Sequence, residues 1–557
     1  MYPKKELAQL LISACTQYQI ETVVISPGSR NAPLTIGFSN HPKINALSIV
    51  DERCAAFFAL GIAQQTQKPV AIVCTSGSAL LNYYPAIAEA FYSNVPLVVI
   101  SADRPKHLID IGDGQTIRQE NVFENHILFS ANLTTVSEDD IANAVNQENL
   151  NLISEAFQIA TSQQGPVHIN VPFDEPLYET VSELPKFNFP TQTTQIEKKP
   201  VDYTKLAKIW NSSEKKMILV GVNYPDKALD NLIDIYGSDD SVLLFTETTS
   251  NLHHSKAIDA IDQLIFSLED ADFKELQPAL LVTFGGMIVS KRIKRFLRDY
   301  QPKHHWHIDT KKATDTYFCL SEFVQTTPIE FFSNFNPLIS SVDSNYQPNW
   351  LKIRDHRRQK HAAYFKELQH SDFKAFEQIL NAIPSDSDLQ ISNSSIIRYA
   401  QLFKMNTTFR VFCNRGTSGI DGSTSTAIGA AFASNKQTVC ITGDLSFFYD
   451  SNALWNSYIP ATFRIILINN SGGGIFKIIP GPATTNAANY FETPHCLTAV
   501  HLAKMHEFEY ASAFTTEVVT KELEGFFESS EKPKILEIFT PSAENDIVLK
   551  EYFKYIK

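Results

Sequence analysis

The chain predicts an α/β protein of three doubly wound, parallel-sheet domains, and three observations carry that prediction. Short apolar runs recur along its 557 residues without alternating with polar positions, as strands covered on both faces require. Amphipathic stretches of helical period separate these runs, which is the βαβ pattern. Two polar breaks, PKFNFPTQTTQIEKKPVDY (185–203) and SSVDSNYQPN (340–349), divide the text into three blocks of similar size. The chain is too long for one core, and two or three domains of roughly 150–200 residues are expected.

In the first block, the opening MYPKKELAQLLISAC alternates at helical spacing, with Glu6 and Gln9 interrupting any unbroken apolar core. It predicts a helix rather than a secretory leader. ETVVIS (21–26), PVAIVC (69–74) and PLVVIS (96–101) predict strands, and DERCAAFFALGIAQQ (51–65) and SALLNYYPAIAEAFYSN (78–94) predict helices. The second block predicts strands at MILVGV (217–222), SVLLFTE (241–247) and ALLVTFGG (279–286). The third predicts them at FRVFCN (409–414), TVCITGD (438–444), FRIILINN (463–470) and KILEIF (534–539). The expected domains are 1–184, 204–339 and 350–557, the first and third related in form but with no sequence repeat between them.

The formal charge of −13 argues against a nucleic-acid surface while leaving room for a local basic pocket. Seven dispersed cysteines without a CxxC suggest reduced thiols and a cytoplasmic setting. No run approaches the ~18 apolar residues of a membrane helix, so no membrane insertion is expected.

Ligands of open α/β sheets bind beyond the carboxyl ends of strands. There the chain places SPGSRN, the DER near residue 51, SADRP, NRGTSGIDG and the turns after TVCITGD and FRIILINN. Neither a P-loop nor a GxGxxG after the first strand occurs. Asp444 and Asn470 are about one strand, one helix and one strand apart, which makes their turns neighbours on one sheet edge. A carboxylate, an amide oxygen and a glycine-turn carbonyl are hard ligands suited to Mg²⁺, which completes its shell with water and phosphate oxygens. The same residues also suit a plain helix start and a plain turn. Glu52, at the start of a predicted helix, is likewise favoured by the helix dipole alone. KRIKRFLR, which contains Lys291 and Arg292, reads equally well as a solvated basic face.

Glu52, Gly443-Asp444 and Asn469-Asn470 together resemble the pattern of the thiamine-diphosphate-dependent enzymes: an N-terminal pyrimidine domain with a glutamate, a central domain, and a C-terminal diphosphate domain carrying GD and then NN. The resemblance covers the whole chain. ISPGSRNAPL, SADRP, SKR, NRGTSGIDG, GDLSFFYD and NNSGGGIF further resemble the branch of menaquinone biosynthesis that joins 2-oxoglutarate to isochorismate. GDLS in place of the wider group's GDG is shared by that branch. Gly474 stands where a larger polar residue such as Gln is expected.

The resemblance implies thiamine diphosphate with Mg²⁺ or Mn²⁺ bound by Asp444, Asn470 and the Gly472 carbonyl. Glu52 would be catalytic, at the aminopyrimidine ring nitrogen. Pro27, Ile420, Gly443, Leu445, Ser446, Gly473, Ile475 and Phe476 complete the cofactor contacts, Ile420 as the wedge that bends it. Arg30, Arg104, Gln115, Lys291 and Arg292 fall on the isochorismate side, and Ser29 also contacts substrate. Ser394, Arg398 and Arg415 face the 2-oxoglutarate part, and Ile475 and Phe476 also contact substrate. A homodimer or homotetramer with active sites between chains is implied. Two other readings stay open at this level: a different thiamine-diphosphate 2-oxoacid decarboxylase or acetolactate-synthase-like carboligase, and a non-catalytic α/β binding protein.

Overall fold

A computed structural model describes residues 1–135, 142–190, 200–478 and 481–557. Residues 191–199 of the linker expected at 185–203 lie outside them. The predicted α/β architecture is present as three parallel sheets.

The first sheet has six strands in the spatial order Asn45–Ser48, Thr22–Ile25, Val70–Cys74, Leu97–Asp103, Val167–Pro172, Phe129–Asn132. Numbered by sequence within the sheet, that is 2-1-3-4-6-5. The last sheet runs Arg410–Phe412, Asp388–Ile391, Thr438–Gly443, Arg464–Asn469, Lys534–Phe539, Glu509–Ala513, again 2-1-3-4-6-5. The two are therefore related in topology, although no sequence repeat links them. Between them lies a five-stranded sheet ordered Val242–Phe245, Lys216–Val220, Leu280–Phe284, His304–Ile308, Glu322–Val324. The central strands are apolar end to end because helices cover both faces; VAIVC and LLVTF are wholly buried.

One predicted helix needs correction. The stretch 78–94 forms two, Ser78–Asn82 and Tyr84–Ser93. Pro85 has no N–H to donate back along the first segment, so the ladder breaks there. Helix Glu52–Thr66 starts where expected, with the Asp51 carboxylate capping the Cys54 amide at 3.1 Å.

The first and third domains share one core. Phe57, Phe58 and Leu60 of helix Glu52–Thr66 pack in the same cluster as Ala427, Ile428 and Ala431 of helix Ser423–Ala433. The crossing is close enough to exclude side chains. A Cβ at Gly61 would lie 2.1 Å from the Thr426 carbonyl oxygen, and one at Gly429 would lie 1.9 Å from that of Phe58. Backbone cannot yield as a flexible side chain can, so Gly429→Ala should force the helices apart. The expected cost is about 1–3 kcal/mol, as for other overpacked cores, read as a lower urea midpoint. An unchanged midpoint would show that the crossing is looser than described.

Candidate functional site

Strands Thr438–Gly443 and Arg464–Asn469 are parallel neighbours, with Gly443 opposite Ile468. Asp444 and Asn470 therefore leave the same sheet edge. Asp444 opens the short helix Asp444–Tyr449 and is only 3% exposed. Its Oδ2 accepts from the Gly472 amide at 2.9 Å and its Oδ1 from the Leu445 amide at 2.7 Å. His495 Nε2 lies 3.3 Å from Oδ2 but makes no hydrogen bond. Burial raises the Asp444 pKa; the two amides, and then His495, pull it back. Gly472 adopts φ 147°, and a Cβ there would meet the Glu492 carbonyl oxygen at 2.5 Å, so only glycine serves this turn.

Asn470 donates its Nδ2 hydrogen to Asp372 Oδ2 at 2.9 Å, while its Oδ1 is buried with no hydrogen-bond partner among the described residues. A buried amide oxygen left unpaired beside a buried carboxylate is the chemistry of a hard-cation site. The residues present thus fit a divalent cation. Among the described residues no group of three His, Cys, Asp or Glu forms a metal cluster. A cation here would lean on amide, carbonyl and phosphate oxygens. A Cβ at Gly474 would come within 3.0 Å of Asn470 Nδ2, so glycine at this unexpected position leaves the amide its room.

The loop from Asn414 to Gly422 lies over this edge. Asn393, just past strand Asp388–Ile391, donates to the carbonyls of Asn414 and Gly419, both at 2.7 Å, and its Oδ1 accepts from Arg415 Nη1 at 2.7 Å. The Ile420 carbonyl takes the Ser446 hydroxyl at 2.7 Å, and the Ile420 side chain is 37% exposed. Ser394 stands at φ 68°, and its carbonyl accepts from Arg398 Nη1 at 2.6 Å. Gly473, Ile475 and Phe476 continue the Asn470 turn, the Phe476 ring 5.1 Å from that of Phe491.

The central domain adds cations held on acids. Helix Lys291–Asp299 is capped by Ser290, whose amide, with that of Val289, donates to buried Glu247 at 2.7 and 2.6 Å. Burial pushes Glu247 up to about 7 against these two bonds. The Ser290 hydroxyl donates to Asp262. Arg292 stacks 4.3 Å from the Phe266 ring and stands 3.9 Å from Asp262; Lys291 is exposed. Asp262 acts electrostatically on Arg292 and Arg398, and Glu247 on Arg415. Arg292, Arg398 and Arg415 thus share one neighbourhood.

The other expected residues gather on the first sheet. Pro27 and Ser29 are exposed beyond strand Thr22–Ile25. Arg30 is buried, donating to the Phe173 carbonyl at 2.9 Å and pairing with Glu175 at 3.2 Å. Arg104 donates to the Gly114 carbonyl at 3.1 Å, and Gln115 Nε2 to that of Ser76 at 3.1 Å. Glu52 is half-buried, with Asn82 Nδ2 3.4 Å from its Oε2. Among the described residues no hydrogen bond or ion pair joins any member of this set to the set on the central and third domains.

Sequence reasoning missed two buried acids that hold the site's loops and amides. Glu89, 1% exposed on helix Tyr84–Ser93, accepts from the amides of Gly416 and Thr417 at 2.8 and 2.6 Å and from the Thr417 hydroxyl at 2.8 Å. An acid inside the apolar text AIAEAF was the available signal. Asp372, buried at the start of helix Asp372–Ala382, reads in sequence as an ordinary first-turn acid. Burial, reinforced by Asp444, pushes it up to about 6 against the pull of Thr540 and Asn470.

Two family models match the chain: the N-terminal TPP binding domain of thiamine pyrophosphate enzymes over residues 5–128, and the C-terminal TPP binding domain over 393–538. A Flavobacterium johnsoniae protein named 2-succinyl-5-enolpyruvyl-6-hydroxy-3-cyclohexene-1-carboxylate synthase is 56% identical over 100% of this chain and 99% of its own. The chain belongs to that synthase family. A synthase of the same name from Christiangramia forsetii is 52% identical over 100% of both chains, and one from Flavobacterium psychrophilum is 55% identical over 100% and 99%. The N-terminal match encloses Pro27 to Gln115 of the expected residues and the C-terminal match encloses Ser394 to Phe476; Lys291 and Arg292 fall between.

Glu89→Ala would strand two loop amides, at about 1–3 kcal/mol for each buried unpaired group. The expected result is faster amide hydrogen exchange across 414–422, with the remaining strands of the third sheet unaffected. Unchanged exchange in that loop would show that Glu89 does not hold it.

Proposed function

We propose that this chain decarboxylates 2-oxoglutarate and adds the succinyl remainder, in a 1,4-sense, to isochorismate. The products are CO₂ and 2-succinyl-5-enolpyruvyl-6-hydroxy-3-cyclohexene-1-carboxylate, a step of menaquinone biosynthesis. The observation that carries this reading is the gathering of Arg292, Arg398 and Arg415 around the buried acids Asp262 and Glu247, in a chain of net charge −13. Both substrates are dicarboxylates, and planar guanidinium groups bind carboxylates in two-point fashion. A decarboxylase of one monocarboxylate has no use for so many.

Bound thiamine diphosphate would supply the nucleophilic carbon and the electron sink that decarboxylation requires. Asp444, the Asn470 amide oxygen and the Gly472 carbonyl would hold Mg²⁺ or Mn²⁺, which would neutralise diphosphate charge. Gly443, Leu445, Ser446 and Gly473 line that end. Glu52 exchanges a proton at the aminopyrimidine ring nitrogen, acid–base work typically worth ~10²- to 10⁴-fold. Ile420 would serve as the hydrophobic wedge against the cofactor, and Pro27 would contact it too. Arg398, Arg415 and Ser394 orient 2-oxoglutarate. Arg30, Arg104, Gln115, Ser29, Lys291 and Arg292 orient isochorismate, and Ile475 and Phe476 border both. Among the described residues no hydrogen bond or ion pair joins the two sets, which supports an assembly in which the first domain of one copy completes the site of another. No helix of the described residues is long and apolar enough to cross a membrane. With seven free cysteines, five of them buried, this supports the cytoplasmic setting.

Glu52→Gln keeps a hydrogen-bonding side chain but removes proton exchange. Turnover should nearly vanish while cofactor binding largely persists, and exchange of the cofactor C2 proton, followed by NMR, should slow. Wild-type exchange rates in the variant would exclude this role.

The substrate pair is tested with purified protein, thiamine diphosphate and Mg²⁺. Isochorismate absorbance and 2-oxoglutarate should fall together, with one CO₂ per coupled product by mass spectrometry. Arg398→Ala and Arg415→Ala should mainly impair 2-oxoglutarate use, and Arg30→Ala isochorismate use. Each loss should be at least roughly tenfold, since a half-made buried charge pair costs about 3–5 kcal/mol. Rapid conversion of 2-oxoglutarate to succinic semialdehyde with isochorismate untouched would favour a simple decarboxylase instead.

A further inference from the structure

The Asn470 amide has two ends, and only one can bind a cation. Which end faces the cation site is decided by what touches the other. Here that neighbour is Asp372, 2% exposed, whose Oδ2 takes the Asn470 Nδ2 hydrogen at 2.9 Å. The other carboxylate oxygen takes the Thr540 hydroxyl at 2.5 Å. Asn545 completes the cage, its Oδ1 accepting from the Asp372 amide at 2.8 Å and its Nδ2 lying 3.4 Å from Thr540 Oγ1. With both oxygens acting as acceptors, a flipped Asn470 would set oxygen against oxygen in a buried pocket. The amide is therefore locked with its NH₂ toward Asp372 and its Oδ1 turned away, where that oxygen is buried and unpartnered.

We propose that Asp372 is a positioning residue for the cation: its carboxylate fixes the Asn470 amide so that an oxygen, not a nitrogen, is presented to the metal. This rests on the metal reading above. Partners that orient a metal ligand through its second polar atom typically contribute about 10- to 100-fold in metal affinity.

The relationship can be exchanged. In Asp372→Asn, two NH₂ groups confront each other when the residue 372 carbonyl keeps the Thr540 hydroxyl. Asn470 then flips and offers nitrogen to the cation. Turning the new amide the other way instead strands the Thr540 proton. In Asn470→Asp, two carboxylates confront each other. Combining the changes restores the pair with its polarity reversed: the amide at 372 donates to one oxygen of the carboxylate at 470, and the other oxygen faces the cation.

The experiment measures Mn²⁺ binding to the full chain in the presence of thiamine diphosphate, by the electron paramagnetic resonance of free Mn²⁺, with thermal melts of each variant. Each single variant is expected to weaken Mn²⁺ about 10- to 100-fold, and the double variant to recover most of that loss. Thr540→Val, which removes a neighbour of the carboxylate without reversing the amide, should have a much smaller effect. A purely structural role predicts instead that losses add in the double variant. Additive losses, or an Asp372→Asn variant that binds Mn²⁺ as the wild type does, would overturn the inference. If a single variant fails to fold, the double variant decides: a folded double variant without Mn²⁺ binding also overturns it. Folded wild-type protein that binds no Mn²⁺ would remove the metal reading itself, and the inference with it.

Discussion

The close crossing of helices Glu52–Thr66 and Ser423–Ala433 is the constraint on which the rest of the molecule depends. Gly61 and Gly429 let the two backbones touch, and the apolar side chains around them merge the cores of the first and third domains. Each helix begins at an expected site element. The first starts with Glu52 itself, and the second follows directly on the loop that carries Arg415 and Ile420. Fixing the crossing therefore fixes where both helix starts stand. Domain interfaces within a chain are by default polar and mobile; this one is packed like an interior.

Around that contact, buried carboxylates do work that backbone cannot. Asp450 accepts from the Ser425 amide and hydroxyl at 2.7 and 2.9 Å and so ties the start of helix Ser423–Ala433 to the turn after Tyr449. Burial pushes it up to about 6, and the Ser425 bonds oppose this. Glu89 holds the Asn414–Gly422 loop, Glu247 the start of helix Lys291–Asp299, and Asp372 the Asn470 amide. In each case a carboxylate taken out of water is compensated by N–H or O–H donors, and the order of the receiving loop follows from those bonds.

The parts of the fold legible in sequence are those where composition and burial agree. VAIVC, LLVTF and RIILIN are covered on both faces and read as strands at once. HHWHI was not legible, because three histidines look solvent-facing. In the structure His305 and His307 are buried, each 2.9 Å from the Thr283 hydroxyl, and burial lowers the His305 pKa to about 4. The strand Glu509–Ala513 was hidden for another reason: it is short, edge-placed and only partly buried. In the site, residues in glycine turns at strand ends could be picked out because such turns have few structural uses. Asp372 and Glu89 could not, since an acid in a helix is ordinary until its partners are known.

The donor inventory also separates the expected site residues from one another. Arg30 is buried, yet the Phe173 carbonyl and Glu175 occupy its guanidinium on two sides. Arg104 and Arg415 each keep a buried Nε without a hydrogen-bond partner, and Asn470 keeps a buried Oδ1 in the same condition. An unpaired polar atom in an interior is costly, roughly 1–3 kcal/mol, and persists where another group is to satisfy it. These three atoms belong to residues expected to touch isochorismate, 2-oxoglutarate and the cation respectively. Arg30 differs: one of its nitrogens donates to the Phe173 carbonyl and another pairs with Glu175, so its charge is already partly matched within the chain. The chain itself leaves these three bonds unmade, as it does at buried atoms of the strand and helix interiors such as Trp210 Nε1 and His168 Nδ1.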